Sequence, residues 1–293
     1  MQSSKIDFRD QISKNKLSSF FLMACVFAVI VLLGYVISMA LDPGYFFIIM
    51  IFAIIFSIGY ILISFYKSDK IAIASVGAKQ ADRTTHRQYY SLVEGLTIAS
   101  GLPMPRLYVM NSPQINAFAS GRDPEHAVVC VTTGCLEKLE KKELEGVLAH
   151  ELSHVANYDI RYMTLVAVMV GMIAIISEIF LRSLWFKGGG SDNKNNTIFI
   201  VIGIALAIIA PIVVKLVQLS ISRKREYAAD ASAVEFTRYP QGLMGALKKI
   251  QSSFVAEKKI SKAVAPLFFA NPFRELGSTH PPLEKRIEVL ERM

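Results

Sequence analysis

The chain has 293 residues, of which 53% are hydrophobic, and its mean hydropathy is +0.40. These values exclude an ordinary water-soluble globular protein and indicate membrane spans. The net charge of +8 fits basic residues placed beside an anionic lipid leaflet. We expect no nucleic-acid binding, because no basic stretch is interleaved with aromatic residues as on a base-stacking surface.

Four apolar runs each approach the ~20 residues that a helix needs to cross a hydrocarbon core of ~30 Å. They lie at about 20–41, 45–66, 164–186 and 197–214. A buried core helix is the alternative for the first run, but core helices are seldom apolar all round for about six turns. A polar tail, 1–17, precedes this run, which is too long for the apolar part of a signal peptide, so we expect a retained helix. The turn at 42–44 predicts that the first two runs form a helical hairpin.

The distribution of positive charge orients these predicted spans. Basic residues precede the first run, follow the second, precede the third and follow the fourth: Lys5, Arg9, Lys14, Lys16, Lys67, Lys70, Arg161, Arg223, Lys224 and Arg225. The turn at 42–44 has none, and the loop "KGGGSDNKNN" after the third run has only two. The positive-inside rule therefore places both termini and both large polar segments in the cytoplasm.

Neither of the two polar segments is large enough to be a complete enzyme core, so we expect them to form one split domain. The chain then divides into a tail and membrane hairpin at 1–66, a first cytoplasmic part at 67–163, a second membrane pair at 164–217 and a second cytoplasmic part at 218–293. Within the first part, "QYYSLVEGLTIASGL" predicts a helix that ends at Gly101, and "RLYVM", "INAFAS" and "AVVCVTTG" predict short strands. Another helix is expected from about Leu136.

That last helix contains "GVLAHELSHVANYD" at 146–159, with two histidines four residues apart and a glutamate directly after the first. Residues i and i+4 of a helix share one face, so His150 and His154 can both direct an imidazole at one ion. Glu151 points about 100° away from His150 and can reach a water on that ion without binding the ion. This pattern suits a hydrolytic zinc site, in which Glu151 takes a proton from water and passes it to the leaving amine. The alternative is two histidines on an ordinary polar helix face.

A zinc site of this kind needs a third protein ligand, and "SRKREYAAD" offers one. Glu226 is the natural carboxylate ligand, and Asp230, one turn later, can accept a hydrogen bond from a ligand histidine and fix its tautomer. Taken alone, this pair of acidic residues would more often be a solvated helix face. Topology favours the site, because His154 and Glu226 lie about 15 Å and about 18 Å along their helices from the same membrane face. Residues 157–159 leave open an interruption of the first of these helices.

In this order and topology, "INAFASG", "HELSHVANYD", "SRKREYAAD" and "STHPPLEKRIEVL" resemble the HtpX-type membrane zinc metalloproteases, a branch of the peptidase family that also contains the CAAX prenyl proteases. The resemblance implies a mainly α, polytopic membrane protein with about four transmembrane helices and a split cytoplasmic zincin-like α+β metalloprotease domain. It also implies an endopeptidase of the plasma membrane that acts on misfolded or damaged membrane proteins, with polypeptides and the lipid bilayer as its partners.

The same resemblance assigns roles to individual residues. It implies one Zn²⁺ held by His150, His154 and Glu226, with Glu151 as the general acid and base and Asp230 behind the ligands. Substrate would add as a further strand beside the edge strand that contains Asn116, Ala117, Phe118 and Ala119. His280 would donate a hydrogen bond to the developing oxyanion, although "STHPP" is equally a good helix start.

Two other functions are weighed against this one. An intramembrane protease is disfavoured, because "KLEKKELEGVLAHELSH" is too charged to lie within hydrocarbon. A noncatalytic membrane scaffold or metal-transport protein is the alternative from a different class, but a transporter would place its ligands near the middle of the bilayer. The apolar segment 263–276 either lies on the membrane or covers the cleft.

Overall fold

The computed structural model describes residues 8–40, 43–168, 223–253, 267–270 and 281–293. Its helices are α1 (Phe8–Ala40), α2 (Phe46–Tyr66), α3 (Ser68–Ser75), α4 (Arg87–Ser100), α5 (Thr133–Lys138), α6 (Lys141–Ala156), α7 (Arg223–Thr237), α8 (Pro240–Ser252) and α9 (Leu283–Leu290), and residues 159–168 are also helical. Its strands are β1 (Lys79–Gln80), β2 (Arg106–Met110), β3 (Ala117–Ser120) and β4 (Val128–Thr132). Helix therefore predominates, as expected. The predicted third and fourth spans lie outside the described residues except for 164–168.

Among the described residues, two helices are long and apolar enough to cross a membrane: residues 15–32 of α1, and α2. Only 22% of the first window and 17% of the second is buried inside the structure, so most of their apolar surface faces outward, unlike that of a core helix. The two helices pack along each other, and a 3₁₀ turn at Pro43–Tyr45 leads into α2. The predicted helical hairpin is present.

Helix α1 begins at Phe8, well before the apolar run, so the end of the polar tail is helical. One face of this extension is buried, with Asn15 and Ser19 on it, and the same face continues through Leu22 and Val26. Leu22 and Val26 form a cluster with the helical residues 159–168 that follow the histidine motif. These contacts stabilise the extension as helix, because tertiary packing of one face contributes more to helix stability than local propensity does.

The four strands form one sheet in the order β1-β2-β4-β3. β2 and β4 are parallel, with Arg106 opposite Val128, whereas β3 is antiparallel to β4, with Phe118 opposite Cys130. The strand predicted from "RLYVM" is confirmed, and the other two are shorter than predicted. β4 ends at Thr132, because the Thr132 side chain accepts the N–H of Cys135 and caps α5. The order leaves β3 at one edge of the sheet.

The histidine motif lies on α6, which begins at Lys141 and not near Leu136. A separate helix, α5, covers the predicted start, and Glu140 and Glu143 form a reciprocal capping box that starts α6. Helix α6 packs against α4, α7, α8 and β3, and so runs through the middle of these elements.

Two glycines allow α6 and α8 to approach closely. A Cβ atom on Gly146 would lie 2.6 Å from the backbone nitrogen of Leu243, and one on Gly242 would lie 2.3 Å from the carbonyl oxygen of Lys142. Neither position has room for a side chain. This close contact fixes where α6 lies, and with it the histidines one turn further along.

Candidate metal centre

His150 and His154 lie one turn apart on the buried side of α6, with 0% and 5% of their surface exposed. Their Nε2 atoms are 3.2 Å apart, and the ring planes are nearly perpendicular, at 88°. Both imidazoles therefore present Nε2 to the same point, as the spacing predicts.

Helix α7 brings Glu226 to that point. Its Oε2 lies 3.6 Å from Nε2 of His150, and its Oε1 lies 3.8 Å from Nε2 of His154. A tetrahedral zinc ion with bonds of about 2.0–2.1 Å sets its ligand atoms about 3.3 Å apart. The two nitrogens and the carboxylate thus fit an ion of this size, and α6 and α7 bring together the three residues that the sequence singles out as ligands.

Asp230 and Arg286 lie behind His150. Nδ1 of His150 is 2.9 Å from Oδ1 of Asp230, and Arg286 donates to the same carboxylate from Nε (2.9 Å) and Nη2 (2.6 Å). All three side chains are fully buried. Burial by itself would raise the pKa of Asp230, but Arg286 and His150 outweigh it and lower that pKa. An ionised Asp230 keeps the proton of His150 on Nδ1 and leaves Nε2 as the electron-pair donor.

Asp159 has the corresponding position behind His154. Nδ1 of His154 is 3.0 Å from Oδ2 of Asp159, which is completely buried. Burial opposes the charged form of His154, but Asp159 and Glu226 outweigh it and raise the pKa to about 9. The chain reaches Asp159 through a turn in which Tyr158 has a φ of 58°, so residues 157–158 do interrupt the helix.

Sequence reasoning missed both Arg286 and Asp159. A signal existed for Arg286, which lies three residues after Leu283 and four before Leu290, on the apolar stripe of α9. The sequence identifies Asp159 only as part of a possible interruption of the helix, and no local pattern indicates that its side chain contacts His154.

Glu151 is also buried, on the side of α6 that faces β3. The backbone N–H of Ala119 donates to its carboxylate, and among the described residues its Oε1 has no hydrogen-bond partner. Burial raises the pKa of Glu151, and His150 and His154 oppose this rise only in part. A carboxyl group with a raised pKa, next to the point where three ligand atoms meet, is suited to exchange a proton with a water molecule.

The outer edge of β3 is partly covered by residues 267–270. Phe268 forms an antiparallel bridge with Phe118, and the N–H of Phe269 donates to the carbonyl of Ala117 at 2.7 Å. The side-chain amide of Asn116 bonds both backbone groups of Ala270, at 2.8 Å and 3.0 Å. The described part of the segment 263–276 thus lies on the predicted substrate strand. His280 lies outside the described residues.

Comparison with known proteins agrees with these features. The model of Peptidase family M48 matches residues 83–293. A "Protease HtpX homolog" of Caldanaerobacter subterraneus subsp. tengcongensis is 46% identical over 239 residues, which are 79% of this chain and 80% of the relative. Another, of Dictyoglomus turgidum, is 39% identical over 294 residues, 98% of this chain and 95% of the relative.

Among solved structures, S. mikatae Ste24p matches with a TM-score of 0.48 and 17% identity, over 96% of this chain and 66% of that one. The family model covers most of the chain, and relatives of substantial identity cover nearly all of it. The chain therefore belongs to peptidase family M48 and is a membrane-bound metalloprotease.

Proposed function

We propose that this protease is a zinc endopeptidase that hydrolyses misfolded or damaged membrane proteins at the cytoplasmic face of the plasma membrane. The observation that carries the proposal is the meeting of Nε2 of His150, Nε2 of His154 and the Glu226 carboxylate within 4.8 Å of one another. Two imidazoles and one carboxylate are the protein ligands found at catalytic zinc sites, which keep one further position open.

In this proposal His150, His154 and Glu226 hold the zinc, and Asp230 fixes the tautomer of His150. A bound zinc ion lowers the pKa of a water molecule toward ~7 and polarises the scissile carbonyl. Glu151 accepts the proton of the attacking water and then delivers it to the leaving amine. Its orientation for this task comes from Ala119, whose N–H fixes one end of the carboxylate.

The substrate is proposed to lie along Asn116, Ala117, Phe118 and Ala119, at the edge formed by β3, because Ala119 of this strand donates to Glu151. Ala117 and Ala119 direct their backbone groups to the same side of the strand. Residues 267–270 cover this edge and the N–H of Ala119 is donated to Glu151, so an extended substrate must displace residues 267–270 to pair with it. His280, directly before Pro281 in the sequence, is proposed to donate a hydrogen bond to the developing oxyanion.

Contacts with the membrane hairpin support a cytoplasmic active site. The start of the apolar window in α1 meets the turn after α6, and the end of α2 meets Arg122, whose guanidinium lies 5.1 Å from the ring of Tyr66. These two helix ends are flanked by the basic residues that the positive-inside rule assigns to the cytoplasm. We propose that two further spans, at 164–186 and 197–214, join the halves 67–163 and 218–293 of one split domain.

The test uses purified, detergent-solubilised protein with an unfolded model substrate, and measures zinc content and cleavage for each variant. Glu151→Gln should keep the metal and lose cleavage, because the carboxylate that moves the proton is gone. His150→Ala should lose both. Glu145→Gln, a matched change on a partly exposed turn of the same helix, should keep both. Cleavage by Glu151→Gln at the wild-type rate, or full zinc content in His150→Ala, would refute the assigned roles.

A further inference from the structure

Both metal-binding histidines are backed by a carboxylate, and each carboxylate is in turn held by a distant segment. Asp230, behind His150, is held by Arg286 of α9. Asp159, behind His154, is held by Asn15 of α1. We propose that Asn15 is a positioning residue of the metal centre, which acts on His154 through Asp159. This inference rests on the proposed function, and it gives the first membrane helix a part in the chemistry.

Asn15 is buried, with only 6% of its surface exposed. Its side-chain nitrogen donates to Oδ1 of Asp159 at 2.6 Å and to the carbonyl of Asn157 at 3.0 Å. These two bonds use both donors of the amide group. A buried amide would cost free energy if it were unpaired, so the pairing fixes Asn15 relative to the turn after α6.

The bond from Asn15 orients the Asp159 carboxylate toward His154, and Nη1 of Arg225 lies 3.9 Å from the same oxygen, Oδ1. With Oδ1 of Asp159 bound to Asn15, Oδ2 is the oxygen that Nδ1 of His154 contacts at 3.0 Å. Nε2 of His154 then points away from Asp159, toward Nε2 of His150 and the Glu226 carboxylate. Without the Asn15 bond, the Asp159 carboxylate can rotate. It then no longer fixes the tautomer and the ring orientation of His154.

Asn15 also bonds to the strained turn that leads into Asp159. Tyr158 has a φ of 58°, a region that is uncommon for residues with a bulky side chain. The bond from Asn15 to the carbonyl of Asn157 lies just before this residue, and the ammonium group of Lys16 lies 4.6 Å from the Tyr158 ring centroid. The cytoplasmic end of α1 therefore contacts the turn on both sides of its strained residue.

A purely structural role for Asn15, in docking α1, is a weaker explanation. Leu22 and Val26 already dock the helix against the apolar residues Tyr162, Leu165 and Val166. The two roles differ in one respect: positioning predicts a loss of zinc affinity and a changed Co²⁺ spectrum, whereas docking predicts a loss of stability alone.

The test is a double-mutant cycle in the full-length, detergent-purified protein, with Zn²⁺ affinity measured by competition with a chromogenic chelator. Asn15→Leu should weaken zinc binding about tenfold, in the range found for groups that orient metal ligands. Asp159→Ala should weaken it at least as much, and the double variant should bind zinc no more weakly than Asp159→Ala alone. Ser19→Ala, one turn along α1, removes only a bond to the backbone of Asn15 and should bind zinc like the wild type.

A second variant and a visible spectrum distinguish a displaced metal ligand from misfolding of the Asn15→Leu protein. Asn15→Asp keeps the size of the side chain but removes both donors and places a second carboxylate against Asp159, so it should also weaken zinc binding about tenfold or more. The visible spectrum of the Co²⁺-loaded protein should change in both Asn15 variants and not in Ser19→Ala. Independent, additive losses from Asn15→Leu and Asp159→Ala, or zinc affinity of both Asn15 variants within twofold of wild type, would overturn the proposal. A wild-type protein that binds no zinc would overturn the proposed function as well.

Discussion

Replacing Arg286 by methionine tests the buried ion pair between Arg286 and Asp230. Methionine keeps an unbranched apolar stem, but it removes the two bonds to Asp230 and the bond from Nη1 to the carbonyl of Phe269 at 3.3 Å. Asp230 is fully buried, so its negative charge would be left without a cation in a region that water does not reach.

The expected loss follows from that burial. Removing one partner of a buried ion pair typically costs about 3–5 kcal/mol, because the remaining charge is uncompensated. For a folded unit of about 200 residues, this corresponds to a fall in Tm of about 6–20 °C. The change should also weaken metal binding, since Asp230 orients His150.

Thermal unfolding of the detergent-purified protein, followed by circular dichroism with a chelator present, measures the stability loss without a contribution from bound metal. Arg292→Met is the matched control, because Arg292 is largely exposed and its ion pair with Glu288 spans 3.9 Å, so we expect a change of less than about 0.5 kcal/mol. Adding Asp230→Asn to Arg286→Met should recover stability, since no charge is then left buried alone. If Arg286→Met unfolds at the same temperature as Arg292→Met, the reasoning about this buried pair is wrong.

Three further predictions concern packing, the covered edge of β3 and the metal. Gly146→Ala should lower the free energy of unfolding by about 1–3 kcal/mol, because its methyl group would meet the Leu243 backbone. A methyl group on Gly95 would meet nothing within 4 Å, so Gly95→Ala should raise the free energy of unfolding by about 0.5–1 kcal/mol. Equal shifts would contradict the close contact of α6 and α8. Asn116→Ala should lower the free energy of unfolding by about 1–3 kcal/mol and speed amide hydrogen exchange at Ala270. Unchanged exchange at Ala270 would show that the bonds between Asn116 and Ala270 are not formed in solution. A metal chelator should lower the Tm of the zinc-loaded wild type, because zinc at 100 times its Kd stabilises the folded state by about 2.7 kcal/mol. The Tm of His150→Ala should not change. An equal response of both proteins would place the metal elsewhere.

Much of the site was predictable because it depends on periodicity within single elements. The i, i+4 spacing of His150 and His154 fixes a shared helix face whatever surrounds it, and Glu226 and Asp230 repeat the same spacing on α7. The membrane hairpin was predictable for a similar reason, since length and hydropathy alone decide whether a helix can span. Strand β2 was predictable because Leu107, Tyr108 and Val109 stand together between polar breaks.

The groups behind the ligands were not predictable, because each comes from a segment whose position depends on tertiary packing. Asn15, Asp159 and Arg286 are single polar residues, and no local rule states which partner a buried polar residue finds. The start of α6 was misplaced for a different reason: its capping box uses Glu140 in place of the usual serine or threonine. The pairing of residues 268–270 with β3 joins segments about 150 residues apart, which no window of sequence contains.

The carboxylates behind the two histidines are held by residues near opposite ends of the chain, Asn15 and Arg286, and this has a consequence for biosynthesis. The histidine pair emerges from the ribosome midway through translation, but the arginine that locks one of the supporting carboxylates follows more than 130 residues later. Asp230 cannot be held by Arg286 before Arg286 has been made, so we expect hydrolytic competence to be among the last properties that a newly made molecule acquires. A half-synthesised copy would then be unable to digest its neighbours during membrane insertion.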